Sequence, residues 1–211
     1  MPVMKIVQPG FTIEAGLNGL ADLQHIERCG RTCYKSEDKI TDDSAVAFVR
    51  KIIASGHHSV LEHVSATVRI VADRGVSHEL VRHRLCSFSQ ESTRYCDYES
   101  GKFDGEIAVI QPLGLTPDQE AEWRTRMVQA ELGYQTLRRQ GCAPQIARSV
   151  LPNSLKTEIA ISCNAREWRH FFTLRTAKPA HPQMRQIACP MLAEFRKRVP
   201  VLFDDVGTVD L

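Results

Sequence analysis

The densest run of chemistry-bearing side chains is residues 82–95, Arg82-His83-Arg84-Leu85-Cys86-Ser87-Phe88-Ser89-Gln90-Glu91-Ser92-Thr93-Arg94-Tyr95. It holds three arginines, one histidine, four serine or threonine hydroxyls, a glutamine and a glutamate. Guanidinium forks pair bidentately with phosphate oxygens, and hydroxyls add further donors. A segment this polar equally describes an exposed loop. The chain has no G-x-x-x-x-G-K or G-x-G-x-x-G run. Phosphates would therefore be held by side chains rather than by a glycine cradle.

The elements that must position this segment are legible on both sides of it. Asp42, Asp43 and Ser44 offer N-caps to a helix whose apolar side is Ala45, Val46, Phe48, Val49, Ile52 and Ile53, stopped at Gly56. Residues 63–73 alternate, with Val64, Ala66, Val68, Ile70 and Ala72 on one face, which predicts a half-buried strand. Asp73-Arg74-Gly75 reads as a turn into a short helix over Ser77–Arg84. A strand is expected within residues 106–112. Thr116-Pro117 starts a long amphipathic helix through Trp123, Met127, Ala130, Tyr134 and Leu137, ending at Gly141. A shorter helix covers 143–151 and a strand 155–164. Asn164 caps a helix over 165–176. The last helix starts near Pro182 and buries Met184, Ile187, Met191, Leu192 and Phe195, with Pro190 expected to kink or split it. The fold class is α/β (α+β): a helix-rich single domain over residues 1–211 with a small mixed or antiparallel sheet.

Length and composition exclude several classes. At 211 residues, with 43% hydrophobic and 25% charged side chains, the chain is globular rather than disordered. No apolar stretch reaches the roughly 18 residues of a membrane span, and the first residues lack a signal peptide's apolar core. Seven cysteines without a C-x-x-C pair suit reduced thiols in a cytoplasmic protein. Cys29 and Cys33 stand four apart and are expected to pack. The net charge of +2 conceals an asymmetry. Residues 138–198 carry twelve Lys/Arg against three acids, a local +9, and the remainder sums to −7. That imbalance is either a solvated basic face or part of a site for anionic ligands.

Arg82-His83-Arg84, seven residues and Ser92 form an R-H-R-x7-S signature, and on it the chain resembles the flavin-dependent thymidylate synthases. Residues His57-His58-Ser59-Val60-Leu61-Glu62-His63 resemble that family's H-x-[ST]-x-x-E-H segment. Ala147-Arg148-Ser149-Val150-Leu151-Pro152 resembles its A-R-x-x-L-P turn. Asn164-Ala165-Arg166, Leu174-Arg175, His181 and Gln183 follow in the family's order, so the likeness spans about residues 30–200. It departs at Glu79 and Gln90, where other members carry glutamine and glutamate.

The resemblance implies an enzyme making dTMP from dUMP, with methylene from 5,10-methylenetetrahydrofolate and hydride from FAD that NADPH re-reduces. It implies dUMP binding by Glu79, Leu80, Val81, Arg82, Gln90, Glu91, Ser92, Thr93, Arg94, Arg148 and Arg175. FAD contacts fall on Ser59, Arg82, His83, Arg84, Gln90, Asn164, Ala165, Arg166 and His170, with His57 and Glu62 in the folate and NADPH region. Arg175 matches the catalytic position: a guanidinium beside the pyrimidine favours the N3-deprotonated anion and enriches carbon 5 in electrons. Ser92 is a binder in this scheme, not a nucleophile. The resemblance further implies a cytoplasmic homotetramer with sites between subunits, and no metal.

Three rival chemistries are weighed against this. Cys86 inside the signature suggests a thiol nucleophile, against which a lone cysteine is usually a packed side chain. His57, His58, His63, His78 and His83 with Glu62 suggest a metal hydrolase. Yet H-x4-H sets two imidazoles about 140° apart on a helix, and there is no H-E-x-x-H. The Arg, His and Tyr interleaving of 82–95 suggests RNA binding, but no RRM or KH signature accompanies it, so neither nucleic acid nor membrane is an expected partner.

Overall fold

The computed structural model describes residues 4–103 and 105–210, apart from the Lys102 side chain. Its strands are β1 (Lys5–Ile6), β2 (Gly10–Ala15), β3 (Ser65–Asp73), β4 (Ser87–Gln90), β5 (Ala108–Val109) and β6 (Lys156–Asn164). Its helices are α1 (Leu20–Thr32), α2 (Ser44–Ala54), α3 (Arg74–Leu80), α4 (Pro117–Arg139), α5 (Pro144–Ala147), α6 (Ala165–Arg175) and α7 (Pro182–Arg198). Short 3-10 turns cover His58–His63 and Arg148–Val150. One sheet has the strand order β2-β3-β6-β4, and β1 pairs in parallel with β5, Lys5 opposite Ala108. This is the helix-rich α/β class with a small sheet. Among the described residues no helix is long and apolar enough to cross a membrane.

The chain packs as two compact units. The first comprises residues up to 10, 70–82 and 89–159; the second comprises 11–69, 83–88 and 160 onward. β3 and β6 each run through both.

In the first unit α4 supplies the seam. Thr116 and Gln119 close a capping box, with Pro117 at the first helical position. Tyr98, Ile107, Val109, Met127, Tyr134 and Leu155 make the core. The expected Ala130 is not part of it. The buried turn instead reads Met127, Glu131, Tyr134, with Glu131 fully buried. The Tyr134 hydroxyl donates to Asp97, whose carboxylate also takes two bonds from Arg138 at 2.7–3.0 Å. The Arg138 guanidinium thereby holds Asp97 below the usual carboxylate range.

In the second unit the core is aromatic. Trp168, Phe171 and Phe172 of α6, Phe195 of α7 and Phe203 stack mostly edge to face at 4.9–6.1 Å. Trp168 donates its indole N–H to Ala66 O at 3.2 Å, tying α6 to β3. Arg169 is buried and grips the Asp205 carboxylate with two bonds at 2.6–2.7 Å, holding that carboxyl below its usual range. α1 lies close on α2 because Gly30 has no side chain. A Cβ there would stand 2.7 Å from the Phe48 ring.

Several boundaries differ from expectation. The short helix starts at Arg74, capped by Asp73, whose carboxylate accepts from Val76 N–H at 2.7 Å, and it ends at Leu80. Residues 87–90 form a strand. The 143–151 helix divides into α5 and a 3-10 turn. Pro190 does not split α7, which runs unbroken from Pro182 to Arg198. Cys33 is exposed rather than packed.

Candidate functional site

The second unit holds a cavity of 660 Å³ at the start of α6, inside the range usual for cofactor sites. Asn164, Arg166, Glu167 and His170 line one wall, and His58, Glu62 and Leu85 line another. The sequence dictates the α6 wall: Asn164 leaves the strand in extended conformation and its Oδ1 accepts from Glu167 N–H at 3.0 Å. That cap opens a helix whose first turn carries a positive end. Arg166 reaches Glu62 at 2.7 Å, and both side chains stay substantially exposed.

Behind that wall His83 is drawn inward, 5% exposed, against the Phe171 ring at 5.0 Å and His170 at 5.8 Å. Its Nδ1 lies 3.0 Å from Glu167 Oε1, and its Nε2 accepts from Arg175 Nε at 3.0 Å. Burial pushes the imidazole below its usual pKa; the Arg175 charge adds to this and the Glu167 hydrogen bond opposes it. His83, Glu167 and His170 bring three ligand-type atoms within 4.8 Å of one another. However, both ring nitrogens of His83 are engaged, one of them by a guanidinium, so a cation there would displace an existing bond. Cys86 stands beside Cys163, and that contact together with burial raises the Cys163 thiol.

The first unit gathers the other expected group. Gln90 donates its amide to Ser77 Oγ at 2.9 Å and Thr157 Oγ1 at 3.2 Å. Ser92 Oγ accepts from Arg94 N–H at 3.3 Å, a local turn, and Arg94 Nε reaches Gln145 at 3.2 Å. Arg148 donates to Thr93 Oγ1 at 3.3 Å, and its guanidinium is otherwise exposed. Arg148, Arg94, Thr93 and Ser92 thus present guanidinium and hydroxyl donors together. The Glu91 side chain is committed elsewhere, to Tyr98 at 3.0 Å and Lys156 at 3.2 Å, and its N–H to Glu158 O.

Other expected residues are placed more simply. Arg82 and Arg84 are exposed, Glu79 is half-buried, and Val81 is partly exposed. Leu80 and Ala165 are 1% and 2% exposed, so only their backbones could meet a ligand. Ser59 is exposed and lies off the 660 Å³ cavity wall. His57 borders a different cleft, with Arg31, Lys39, Lys51 and Phe48. Sequence reasoning missed Glu167. One signal could have found it: it is one of only three acids in the basic stretch 138–198.

The model of the thymidylate synthase complementing protein family matches residues 20–201. A relative from Corynebacterium aurimucosum, named flavin-dependent thymidylate synthase, is 39% identical over 194 residues, covering 85% of this chain and 78% of its own. One of the same name from Geobacter sulfurreducens is 35% identical over 203 residues, covering 89% and 86%. Among solved structures, the UMP/dUMP methylase PolB from Streptomyces cacaoi, bound with 5-Br dUMP, superposes with a TM-score of 0.80. It is 28% identical, covering 95% of this chain and 96% of that one.

Proposed function

The chain belongs to the thymidylate synthase complementing protein family, the flavin-dependent thymidylate synthases, and from that premise we propose how its residues divide the reaction. The activity is that of a flavin-dependent methyltransferase. Its substrate is dUMP, its carbon donor 5,10-methylenetetrahydrofolate and its reductant NADPH, with dTMP and tetrahydrofolate as products.

The cavity at the start of α6 fits FAD in size and donor set. A volume of 660 Å³ is bordered by Arg166, His58 and His170 and by the first turn of α6, all suited to a pyrophosphate. Asn164, Arg166 and His170 would hold the flavin, His83 would back that wall from behind, and Ser59, Arg82, Arg84 and the Ala165 backbone are the further contacts the family likeness implies. When bound, the flavin supplies the hydride that completes the methyl group. His57 and Glu62 serve the folate and NADPH region.

The observation that carries the dUMP reading is the cluster of Ser92, Thr93, Arg94 and Arg148. A nucleotide phosphate needs fixed hydroxyl and guanidinium donors, and here two exposed guanidiniums are set by bonds to Thr93 and Gln145. Glu79, Leu80, Val81, Arg82 and Gln90 would add to the nucleotide site, with Glu91 as a brace through Tyr98 and Lys156. Arg175 stabilises the uracil N3 anion. A guanidinium suits this work because it stays charged when partly desolvated.

Residues 1–211 act in this reading as one domain within a cytoplasmic homotetramer. Exposed Leu132, Ile146 and Val150 offer the first unit an apolar face for a partner copy. His57 to Glu62 of one chain would complete a site begun by Arg82 to Arg94 of another. The test is dUMP-dependent tritium release from carbon 5, omitting methylenetetrahydrofolate, NADPH and FAD in turn. Release must fail without each of them, and undiminished release without flavin rejects the reading. Monomers that still turn over would reject the shared site.

A further inference from the structure

We propose that Glu167 and His83 are positioning residues for Arg175. The Glu167 carboxylate holds His83 as its Nδ1–H tautomer, and the bare Nε2 of that tautomer takes the Arg175 Nε–H and sets the plane of the guanidinium.

The hydrogen-bond inventory leaves one assignment. A guanidinium only donates, so the His83 nitrogen 3.0 Å from Arg175 Nε must offer its lone pair. The ring proton of neutral His83 is then on Nδ1, where Glu167 Oε1 accepts it at 3.0 Å. The His83 and Glu167 side chains are buried, at 3% and 7% exposure, so water does not compete for the bond between them, and the Arg175 bond is part-buried. Imidazolium would put a second proton against the Arg175 N–H and break the arrangement. Burial of His83 favours the neutral form.

Helix geometry explains why an intermediary is needed. Glu167 and Arg175 sit at opposite ends of α6, eight residues apart, a rise of about 12 Å. Side chains on a helix lean toward its N-terminus, which brings the long Arg175 side chain back toward Glu167. His83, 84 residues from one and 92 from the other, bridges them. Anchoring through Nε restrains rotation of the guanidinium plane, whatever else its terminal amino groups meet. A guanidinium that can rotate spends part of its time misdirected, and reaction rates fall steeply with ångström-scale misplacement. A carboxylate fixing an imidazole tautomer for the group beyond it is a general device.

This inference rests on reading Arg175 as the group that activates uracil, so the experiment separates the two. In the FAD-loaded full chain, Glu167→Gln is expected to keep its flavin absorbance and its rate of flavin reduction by NADPH. Tritium release at saturating dUMP should fall about tenfold to a hundredfold. His83→Gln supplies an amide oxygen that can accept from Arg175 without help. In that background adding Glu167→Gln should cost only about twofold, within the scatter of uncoupled sites. An equal loss in both backgrounds overturns the relay, as does activity lost only in proportion to flavin. If Arg175→Ala is inactive while Glu167→Gln matches wild type, the positioning role alone fails. If Arg175→Ala is fully active, the reading of Arg175 itself fails. Ring ¹⁵N shifts of His83 in the unmodified enzyme need no variant: an Nε2-protonated ring overturns the proposal even where a variant does not fold.

Discussion

Glu131 makes a stability prediction that depends on nothing at the site. It occupies the buried seam of α4 and is fully buried. Its Oε1 accepts from Ile107 N–H at 2.9 Å, whereas its Oε2 makes no hydrogen bond. Burial raises its pKa and the nearby Glu106 charge adds to this, against the lowering effect of the Ile107 N–H. The folded protein thus holds this proton at pH values where the unfolded chain has released it. Stability from this group is complete below the ordinary glutamate range and is lost as pH climbs toward the raised value, by about 1.4 kcal/mol per unit between the two. Glu131→Gln keeps an oxygen for Ile107 and cannot ionise. Urea midpoints, taken at fixed protomer and flavin concentration from pH 4.5 to 8, should show the variant gaining on wild type as pH rises. Glu131→Leu should instead lose about 1–3 kcal/mol, because the Ile107 N–H is left buried without a partner. Parallel pH curves for wild type and Glu131→Gln would falsify the account.

Three further changes have definite outcomes. Ser92→Ala should raise the dUMP dissociation constant by calorimetry more than it lowers kcat. A protein–uridylate adduct present in wild type and absent in the variant would contradict a binding role. Asn164→Ala removes the acceptor for Glu167 N–H and should cost about 1 kcal/mol in thermal unfolding, with flavin retention weakened; unchanged melting would show the cap to be idle. Gly207→Ala sets a Cβ 2.5 Å from Thr176 Oγ1 and 2.9 Å from Leu192 at φ +68°, so a loss of about 1–3 kcal/mol is expected. A variant as stable as wild type would mean the turn relaxes freely.

Elements whose burial follows one period were legible. β3 buries four of the five alternating residues expected, with the fifth, Val64, buried just before it, and α7 buries all five of its expected apolar residues. Thr116-Pro117 and Asn164 both cap where their chemistry says they should. What was hidden depends on partners far along the chain. β4 is Ser-Phe-Ser-Gln, polar enough to read as loop, and becomes a strand because β6 offers it an edge. Glu131 breaks the assumption that a glutamate on an amphipathic helix faces water. Pro190 is exposed, so the missing N–H and the ring fall on the solvent side while Ile187, Met191 and Leu192 hold the buried side. Packing there outweighs propensity. For the site, residue types and order could be read from the signature, but the His83 bonds to Glu167 and Arg175 could not, since each spans more than 80 residues.

Charge shows the same distinction most sharply. The +9 of residues 138–198 suggested a basic surface for anions, but folding neutralises much of it. Arg138 pairs with Asp97, Lys156 with Glu91, Arg166 with Glu62 and Arg169 with Asp205, each acid coming from the acidic remainder. The regional imbalance is therefore largely a record of which segments must meet. Among the cations that folding leaves exposed without an acidic partner are four arginines of the expected ligand sites: Arg82, Arg84, Arg94 and Arg148. Three of those four lie outside the stretch that looked basic. Charge counted along the chain predicts internal pairing, and only charge counted after pairing predicts where a nucleotide phosphate is drawn. Hence neutralising Arg94 or Arg148 should flatten the salt dependence of dUMP binding, whereas neutralising Arg138 should lower the melting temperature and leave that dependence intact.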